Sequence, residues 1–270
     1  MRLAIKLAYD GRNYHGFQVQ KNARTVEGEV VRVLRDTGAI EGVEDAKIGR
    51  GSRTDAGVSA LGNVLAFNTE MSGERIVRAI TAECDSIWAW AYARVDENFN
   101  PRRAKLRVYR YYIPSRNYDV EKIKKCTQLF KGMHDFSNYI IGDKGMCEIS
   151  EIRVHELGDL VCLEFIAPYF RRGMIRKIMS MIMDAGKGRI NEEQIKKSFK
   201  EKMSIPMAPP EPLLLYEILY DNLCFRVDNS ALDMAKKFVA RKFAESMAIS
   251  GVLRDMLLGF EKTPSNLYIK

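Results

Sequence analysis

Short segments in which apolar and polar residues alternate recur along the chain, and segments with amphipathic helical spacing lie between them. Leu3–Tyr9 alternates in the way expected of a strand with one buried face. Leu106–Ile113 is rich in β-branched and aromatic residues, and alternation puts Arg107, Tyr109 and Tyr111 on one face. Strands that take turns with helices in this way predict an α/β protein.

The same pattern predicts two similar α/β halves, residues 1–103 and 104–270, that meet at the loop Asn98–Arg103. The second half resembles the first in its mixture of strands and helices but does not repeat its sequence. The predicted helices are Thr25–Thr37 with Thr25 as the N-cap, Glu74–Cys84, Val120–Lys131, Phe170–Ala185, Asn191–Lys202 and a C-terminal helical region. The predicted strands are Leu3–Tyr9, Asn63–Asn68, Ile87–Tyr92, Leu106–Ile113, Glu151–Leu157, Leu160–Ala167 and a last hairpin of Leu213–Tyr220 with Cys224–Val227.

The chain has 270 residues and a formal net charge of +8. A basic balance of this size favours a polyanionic partner, because each phosphate that is neutralised releases counterions. No apolar run approaches the ~20 residues of a membrane-spanning helix. Met1–Lys6 does not resemble the start of a signal peptide. We therefore expect a cytoplasmic protein with no membrane partner.

The five cysteines are scattered without a Cys-x-x-Cys pair, and the three histidines show no metal-ligand spacing. We interpret the cysteines as reduced thiols and expect no structural metal. With so few histidines, acid–base chemistry at neutral pH falls to carboxylates, tyrosines or lysines.

Gly51–Gly57 reads Gly-Ser-Arg-Thr-Asp-Ala-Gly and places two glycines around one cation and one carboxylate. Glycine reaches backbone angles that other residues resist, so such a loop can bring its polar groups tightly against a ligand. In an extended segment, Arg53 and Asp55 point to the same face. The same residue types are common in solvated turns, and composition alone favours that simpler interpretation.

Together with Val58, this loop closely resembles the Arg-Thr-Asp-Ala-Gly-Val motif of the tRNA pseudouridine synthase A family, in which the aspartate is catalytic. The resemblance extends from Tyr9 to the Ala-Pro-Pro connector at 208–210, with its motifs in the same order. The family usually has tryptophan where this chain has Phe17. The resemblance predicts that Asp55 is the nucleophile or base of the reaction.

Two further segments resemble the family, and each carries one site residue. Arg107–Tyr111 is similar to an Arg-Tyr-x-Tyr strand whose first tyrosine stacks on the target base, a role that falls to Tyr109. Phe170–Arg176 is similar to a Phe-x-x-x-Met-Val-Arg helix start whose arginine pairs with the catalytic aspartate, a role that falls to Arg176. Without the resemblance, Tyr109 would be assigned to strand packing and Arg176 to a solvated helix face.

The resemblance implies an isomerase that converts a flipped-out uridine to pseudouridine in the anticodon arm of tRNA. The reaction breaks the glycosidic bond and rejoins the base through carbon, so no cofactor is expected. The resemblance also implies mainly antiparallel sheets flanked by helices, joined about a continuous central sheet, a basic catalytic cleft and a homodimer. Contacts to tRNA are predicted for Arg53, Thr54, Arg102, Arg103, Tyr109, Arg171 and Arg172, of which Arg102, Arg103, Arg171 and Arg172 are most simply phosphate-facing or solvent-facing.

The sequence departs from the family at Ser59, where many members have histidine, and at Thr81–Asp85, which lacks the usual Asn-x-x-Leu-Pro pattern. Three other functions stay open at this point. The chain could be a non-catalytic RNA-binding protein, a hydrolytic N-glycosidase that uses an aspartate, or a pseudouridine synthase for another RNA.

Overall fold

A computed structural model describes residues 1–142 and 145–262 of the chain. The strands are β1 (Arg2–Tyr9), β2 (Gly49–Arg50), β3 (Ser59–Asn68), β4 (Ile87–Val95), β5 (Leu106–Pro114), β6 (Gly132–Asp135), β7 (Met146–Ile149), β8 (Glu151–Leu157), β9 (Leu160–Ala167), β10 (Leu213–Leu219) and β11 (Arg226–Val227). The helices are α1 (Val26–Asp36), α2 (Gly73–Glu83), α3 (Val120–Gln128), α4 (Met174–Gly186), α5 (Glu192–Ser198) and α6 (Asn229–Lys262).

Within these residues nine strands form one sheet, in which β11-β4-β1-β3-β10-β5-β9-β8 lie side by side and β2 pairs with β3, while β6 and β7 form a separate pair. Every pairing in it is antiparallel except that of β3 with β10, where Ser59 and Ala60 lie beside Leu214 and Leu215. The predicted fold class, α/β with a mainly antiparallel sheet flanked by helices, is confirmed. Because β10 lies between β3 and β5, strands from both predicted halves share one sheet, and the boundary at 103/104 stays a prediction.

Strand β1 is buried along its whole length, so the prediction of a strand with one exposed face is wrong. Leu3, Ile5 and Leu7 face the main core, whereas Ala8 packs in a small cluster with Trp88 and Ala235 of α6. Alternation in the sequence marked two faces of different polarity, but it could not show that a distant helix covers the second face.

Lys6, the polar residue in the middle of β1, is also covered. Lys6 Nζ lies 2.6 Å from Glu217 Oε1 of β10, and the rings of Trp90 and Phe225 lie beneath the ammonium group. Strand β3 runs between the two, and a Cβ atom on Gly62 would lie 2.9 Å from Glu217 Oε1. Glycine therefore leaves room for an ion pair that reaches across β3.

Local signals placed α1 correctly. Thr25 Oγ1 accepts a hydrogen bond from Gly28 N at 3.2 Å, as expected of an N-cap. Two other predictions are wrong. Helix α4 begins at Met174 rather than at Phe170, because Gly173 has a left-handed φ of 74° and the chain turns there.

The predicted hairpin of β10 with β11 is the second error. β10 pairs with β3 and β5, whereas β11 pairs with β4 on the other side of the sheet. Asp228, which follows β11, pairs with Arg78 of α2 at 3.0 Å and caps α6 by accepting from Ala231 N. These partners are distant in the sequence, and they hold β11 against β4 and apart from β10. The β6–β7 pair and β2 were not predicted.

Helix α6 leaves the body of the protein after its first turns. Its base packs through Ala231 and Ala235, and the Phe238 ring lies 5.1 Å from that of Trp88. From Val239 to Phe260 every residue is exposed. Many of these are large apolar side chains, among them Val239, Phe243, Met247, Ile249, Val252, Leu253, Met256 and Phe260. Among the described helices, none is long and apolar enough to cross a membrane.

Candidate active site

The loop that carries Asp55 is held from behind by buried hydroxyl and amide groups. The Thr54 hydroxyl lies 2.8 Å from the Tyr9 hydroxyl, which also accepts a hydrogen bond from Asn63 Nδ2 at 3.1 Å. Asn63 Nδ2 donates to Ser52 O as well, and its Oδ1 accepts from Ser52 N. The Thr54 side chain therefore faces the core and fixes the loop, and the predicted contact of Thr54 with tRNA stays a prediction.

The segment Tyr14–Gln20 supports the same loop. Phe17 N donates to Thr54 O at 3.1 Å, and Gly16 adopts a φ of +100° at a point where an added Cβ would lie 3.2 Å from that carbonyl. Tyr14 and Phe17 are buried. The burial of both aromatic rings shows that they pack inside the protein and are not free to stack on a base in this structure.

Asp55 presents a partly exposed carboxylate to two guanidinium groups. Arg176 Nη1 lies 3.2 Å from Oδ2, and Arg172 Nε lies 4.0 Å from Oδ1. The exposed fractions of the side chains are 26% for Asp55, 14% for Arg176 and 73% for Arg172. A carboxylate placed in this way stays accessible to a ligand while it pairs with a cation that is mostly buried.

Arg176 is positioned by the connector that follows α5. Its Nε donates to Ala208 O at 2.8 Å, and Ala208 N donates back to Arg176 O at 3.0 Å. The Tyr111 hydroxyl donates to Pro209 O at 3.0 Å and ties the connector to β5. The guanidinium is thus not a solvated helical side chain, since it contacts the connector and Asp55 at once.

Tyr109 lies beside the same loop. Its hydroxyl is 2.8 Å from Ser52 Oγ, and its ring meets the ring of Phe170 edge-on at 5.3 Å between centroids. Burial raises the pKa of Tyr109, and the charge of Asp55 raises it further, while the Ser52 hydroxyl and Arg107 act in the opposite direction. The phenol is therefore neutral at physiological pH. Only 6% of the residue is exposed, so the ring is covered in this structure.

Arg107 is a site residue that sequence reasoning missed. It is buried and donates to three main-chain carbonyls, those of Gly51 at 2.9 Å, Arg102 at 2.9 Å and Pro168. Burial lowers its pKa. The signal was present in the sequence, because a charged residue shared the alternating face of Tyr109 and Tyr111 and needed internal partners there.

The remaining predicted RNA contacts do not touch the Asp55 carboxylate. Arg53, Arg102, Arg103 and Arg171 are all exposed. Arg53 and Arg102 line a common cavity of about 360 Å³, and Arg171 lies over the ring of Tyr169. Among residues 1–142 and 145–262, no His, Cys, Asp and Glu side chains are grouped to hold a metal ion.

Two residues at which the sequence departs from the family pattern, Ser59 and Thr81, make hydrogen bonds inside the protein. Ser59 Oγ accepts a hydrogen bond from Gly11 N at 3.0 Å. The Thr81 hydroxyl donates to Ala89 O and accepts from Ala89 N, which joins α2 to β4. Neither contact involves Asp55, Arg176 or Tyr109.

Comparison with known proteins identifies the family. A family model described as tRNA pseudouridine synthase matches residues 126–221. The tRNA pseudouridine synthase A of Pyrococcus furiosus is 37% identical over 269 residues, covering 97% of this chain and 100% of that protein. The chain belongs to the tRNA pseudouridine synthase A family. The proteins of the same name from Pyrococcus horikoshii and Pyrococcus abyssi are 38% and 40% identical, and each alignment covers 95% of this chain and 99% of the relative.

Membership of the tRNA pseudouridine synthase A family confirms the resemblance that the motifs predicted. It also confirms the predicted class of enzyme, an isomerase that makes pseudouridine. The family model covers residues 126–221, which include Arg176, whereas the full-length relatives also cover the Asp55 loop.

Proposed function

We propose that this protein converts uridine to pseudouridine in the anticodon arm of tRNA and that Asp55 is its catalytic residue. The observation that carries the proposal is the Asp55 carboxylate, which is accessible, paired with Arg176 and adjacent to Tyr109. The names of the relatives, which cover nearly the whole chain, support tRNA as the substrate.

The reaction sets the demands that these side chains meet. The bond from C1′ to N1 breaks, the uracil turns, a bond from C1′ to C5 forms, and a proton leaves C5 while N1 gains one. The target base must first leave its stack. A carboxylate can act as nucleophile at the sugar or as base at the uracil. Asp55 fills this role, and Arg176 holds it in place.

Tyr109 supplies the surface on which the flipped base stacks. Contact between a base and an aromatic ring contributes ~1–3 kcal/mol. Because Phe170 contacts the ring edge-on and the residue is almost wholly covered, a base reaches the face of Tyr109 only after a neighbouring side chain moves. Phe170, just before the turn into α4, is the neighbour whose ring contacts Tyr109.

The decisive experiment compares Asp55→Asn with wild type. Asparagine keeps the shape of the side chain but removes its charge and nucleophilicity, whereas tRNA binding rests on phosphate contacts elsewhere. We expect no release of tritium from 5-tritiated uridine tRNA in single turnover. Affinity for tRNA should stay within about tenfold of wild type. Asp36→Asn, a change at a surface carboxylate of α1, serves as the matched control and should turn over normally. Normal turnover by Asp55→Asn would refute the assignment.

The same assay separates the alternatives. A hydrolytic N-glycosidase would release free uracil, and a non-catalytic RNA-binding protein would release no tritium with any variant. Mapping pseudouridine in total RNA from cells with and without the gene distinguishes tRNA from another RNA. Loss of pseudouridine confined to positions outside the anticodon arm would contradict the proposed site.

We further propose that the enzyme works in the cytoplasm as a homodimer with tRNA lying across both copies. The free thiols of all five cysteines suit a reducing compartment. The exposed apolar residues of α6 offer the surface for self-association. If two copies of α6 pair antiparallel about Ile249–Ser250, Glu245 of one lies opposite Arg254 of the other. An apolar surface of this size is better suited to contact a second copy of the chain than to contact a polyanion.

A further inference from the structure

A basic cavity lies directly beside the catalytic loop. Its volume is about 360 Å³, and the side chains that line it include five cations against one carboxylate, Glu97. The residues lining it are Arg2, Lys47, Ile48, Gly49, Arg50, Arg53, Glu97, Asn98, Phe99, Asn100 and Arg102. Such an excess of positive charge in a concave space focuses potential and attracts an anion.

Two of the five cations already have partners inside the protein. Arg2 donates to Phe99 O, Lys47 O and Asn68 Oδ1, and Arg50 forms an ion pair with the buried carboxylate of Glu27. These two arginines build the walls of the cavity.

The other three cations, Lys47, Arg53 and Arg102, have no such partner. Across the described ranges 1–142 and 145–262, none of the three side chains makes an ion pair or a hydrogen bond. All three are exposed at the cavity. Three exposed cations without internal partners around one cavity favour the binding of an anion there.

Lys47 also adopts a backbone conformation that lysine resists. Its φ is +47°, and the one other non-glycine residue with positive φ among the described residues is Asn222, a type that tolerates this region. Glycine at 47 would relax the backbone. A strained cation at the rim of a cavity indicates that the side chain serves a ligand.

We propose that this cavity is a phosphate subsite, in which Lys47, Arg53 and Arg102 bind a backbone phosphate of a nucleotide that flanks the target uridine. The inference rests on the proposed function, since it takes RNA as the substrate. Arg53 lines the cavity and Asp55 lies two residues further along, a separation of about 7 Å in extended chain. A phosphate held there fixes the strand next to the nucleotide that enters the active site. Lys47 lies at the rim of this subsite, and Arg50 forms part of its wall.

Binding of anticodon stem–loop RNAs with one methylphosphonate each, scanned along the loop, tests the subsite without requiring turnover. A methylphosphonate is uncharged, so at one position it should weaken binding to wild type by about three- to tenfold, the range of a single charged contact. Against Lys47→Gly the same modification should cost clearly less, because only Arg53 and Arg102 remain to contact that phosphate. This non-additivity identifies the phosphate that Lys47 contacts.

The stability of the variants supplies the control. Because glycine suits a positive φ, Lys47→Gly should unfold at the same temperature as wild type or at a higher one while binding RNA less tightly. Lys200→Gly removes a lysine from a turn after α5 that does not line the cavity, and it should show no coupling to any phosphate. Loss of stability in Lys47→Gly with unchanged RNA affinity would overturn the proposal.

Inorganic phosphate distinguishes a backbone phosphate from a free anion. At matched ionic strength, phosphate should compete with RNA for wild type more than for Lys47→Gly. A different result would overturn the proposal: phosphate competes, but the effects of methylphosphonate and Lys47→Gly on RNA binding are additive at every position. The cavity would then bind a free anion and not a phosphate of the RNA. If the coupling is present but no pseudouridine forms, the proposed function fails and the subsite stands.

Discussion

Arg176 makes two kinds of contact that only a guanidinium can make together. Nε donates to Ala208 O at 2.8 Å while Nη1 lies 3.2 Å from Asp55 Oδ2. Lysine keeps the charge but lacks the planar fork. We expect Arg176→Lys to lower the single-turnover rate by about 10²-fold, the size of effect that misplacement of a reacting group produces.

Arg172→Lys is the matched comparison for Arg176→Lys. Arg172 is 73% exposed and lies 4.0 Å from the same carboxylate. Its replacement should cost far less, because a solvated cation at that distance contributes little. A wild-type rate in Arg176→Ala would remove the pair from the mechanism.

Tyr109 should act mainly through its ring. Tyr109→Phe keeps the stacking surface and loses the contact with Ser52 Oγ, which contributes about 1 kcal/mol. Tyr109→Leu loses the aromatic face, so we expect a much larger fall in kcat/KM than in Tyr109→Phe. Both rates are measured by tritium release, with unfolding curves to show that the variants fold. Equal activity of Tyr109→Leu and wild type would show that this residue only packs in the core and does not stack on the base.

Much of the candidate site could be predicted from the sequence because its residues lie in short motifs. The structure brings Asp55, Arg176 and Tyr109 together from three separate segments. The inward direction of Thr54, the contact of Arg172 with Asp55 and the identity of the carbonyls that Arg107 contacts could not be predicted. Each depends on contacts between segments that are far apart in the sequence, which no motif records.

At the scale of elements, the turn into α4 depends on one glycine. Gly173 has a φ of 74°, and an added Cβ would lie 3.2 Å from Met207 Sδ and 3.4 Å from Ile141. We expect Gly173→Ala to lower the free energy of unfolding by about 1 kcal/mol or more. Gly251→Ala in α6, where nothing lies within 4 Å, should raise it by about 0.5–1 kcal/mol. Urea denaturation measures both, and opposite signs are required.

The elements also show where prediction from sequence ends. The N-cap of α1 and the hairpin of β8 with β9 were predicted correctly because each depends on residues close in sequence. β11 was misassigned because its partner β4 and the Asp228–Arg78 ion pair are more than a hundred residues away. The cover on the second face of β1 was missed for the same reason.

At the scale of the whole molecule, α6 should hold two copies together. We expect Phe243→Glu combined with Leu253→Glu to convert a dimer into a monomer in light scattering, because both side chains are exposed and apolar in the single chain. Lys237→Glu, a charge change nearer the base of the same helix, should leave the dimer intact. A monomeric wild type would contradict the dimer proposal.

The bonds of Arg107 bear on how this enzyme could change its RNA target. Arg107 contacts the main chain at Gly51, Arg102 and Pro168, and every amino acid supplies a carbonyl there. The side chains at 102 and 168 are therefore free to vary without moving the catalytic loop. Selection, natural or in the laboratory, can reshape the RNA-facing rim one residue at a time, provided that Arg107 itself is left alone.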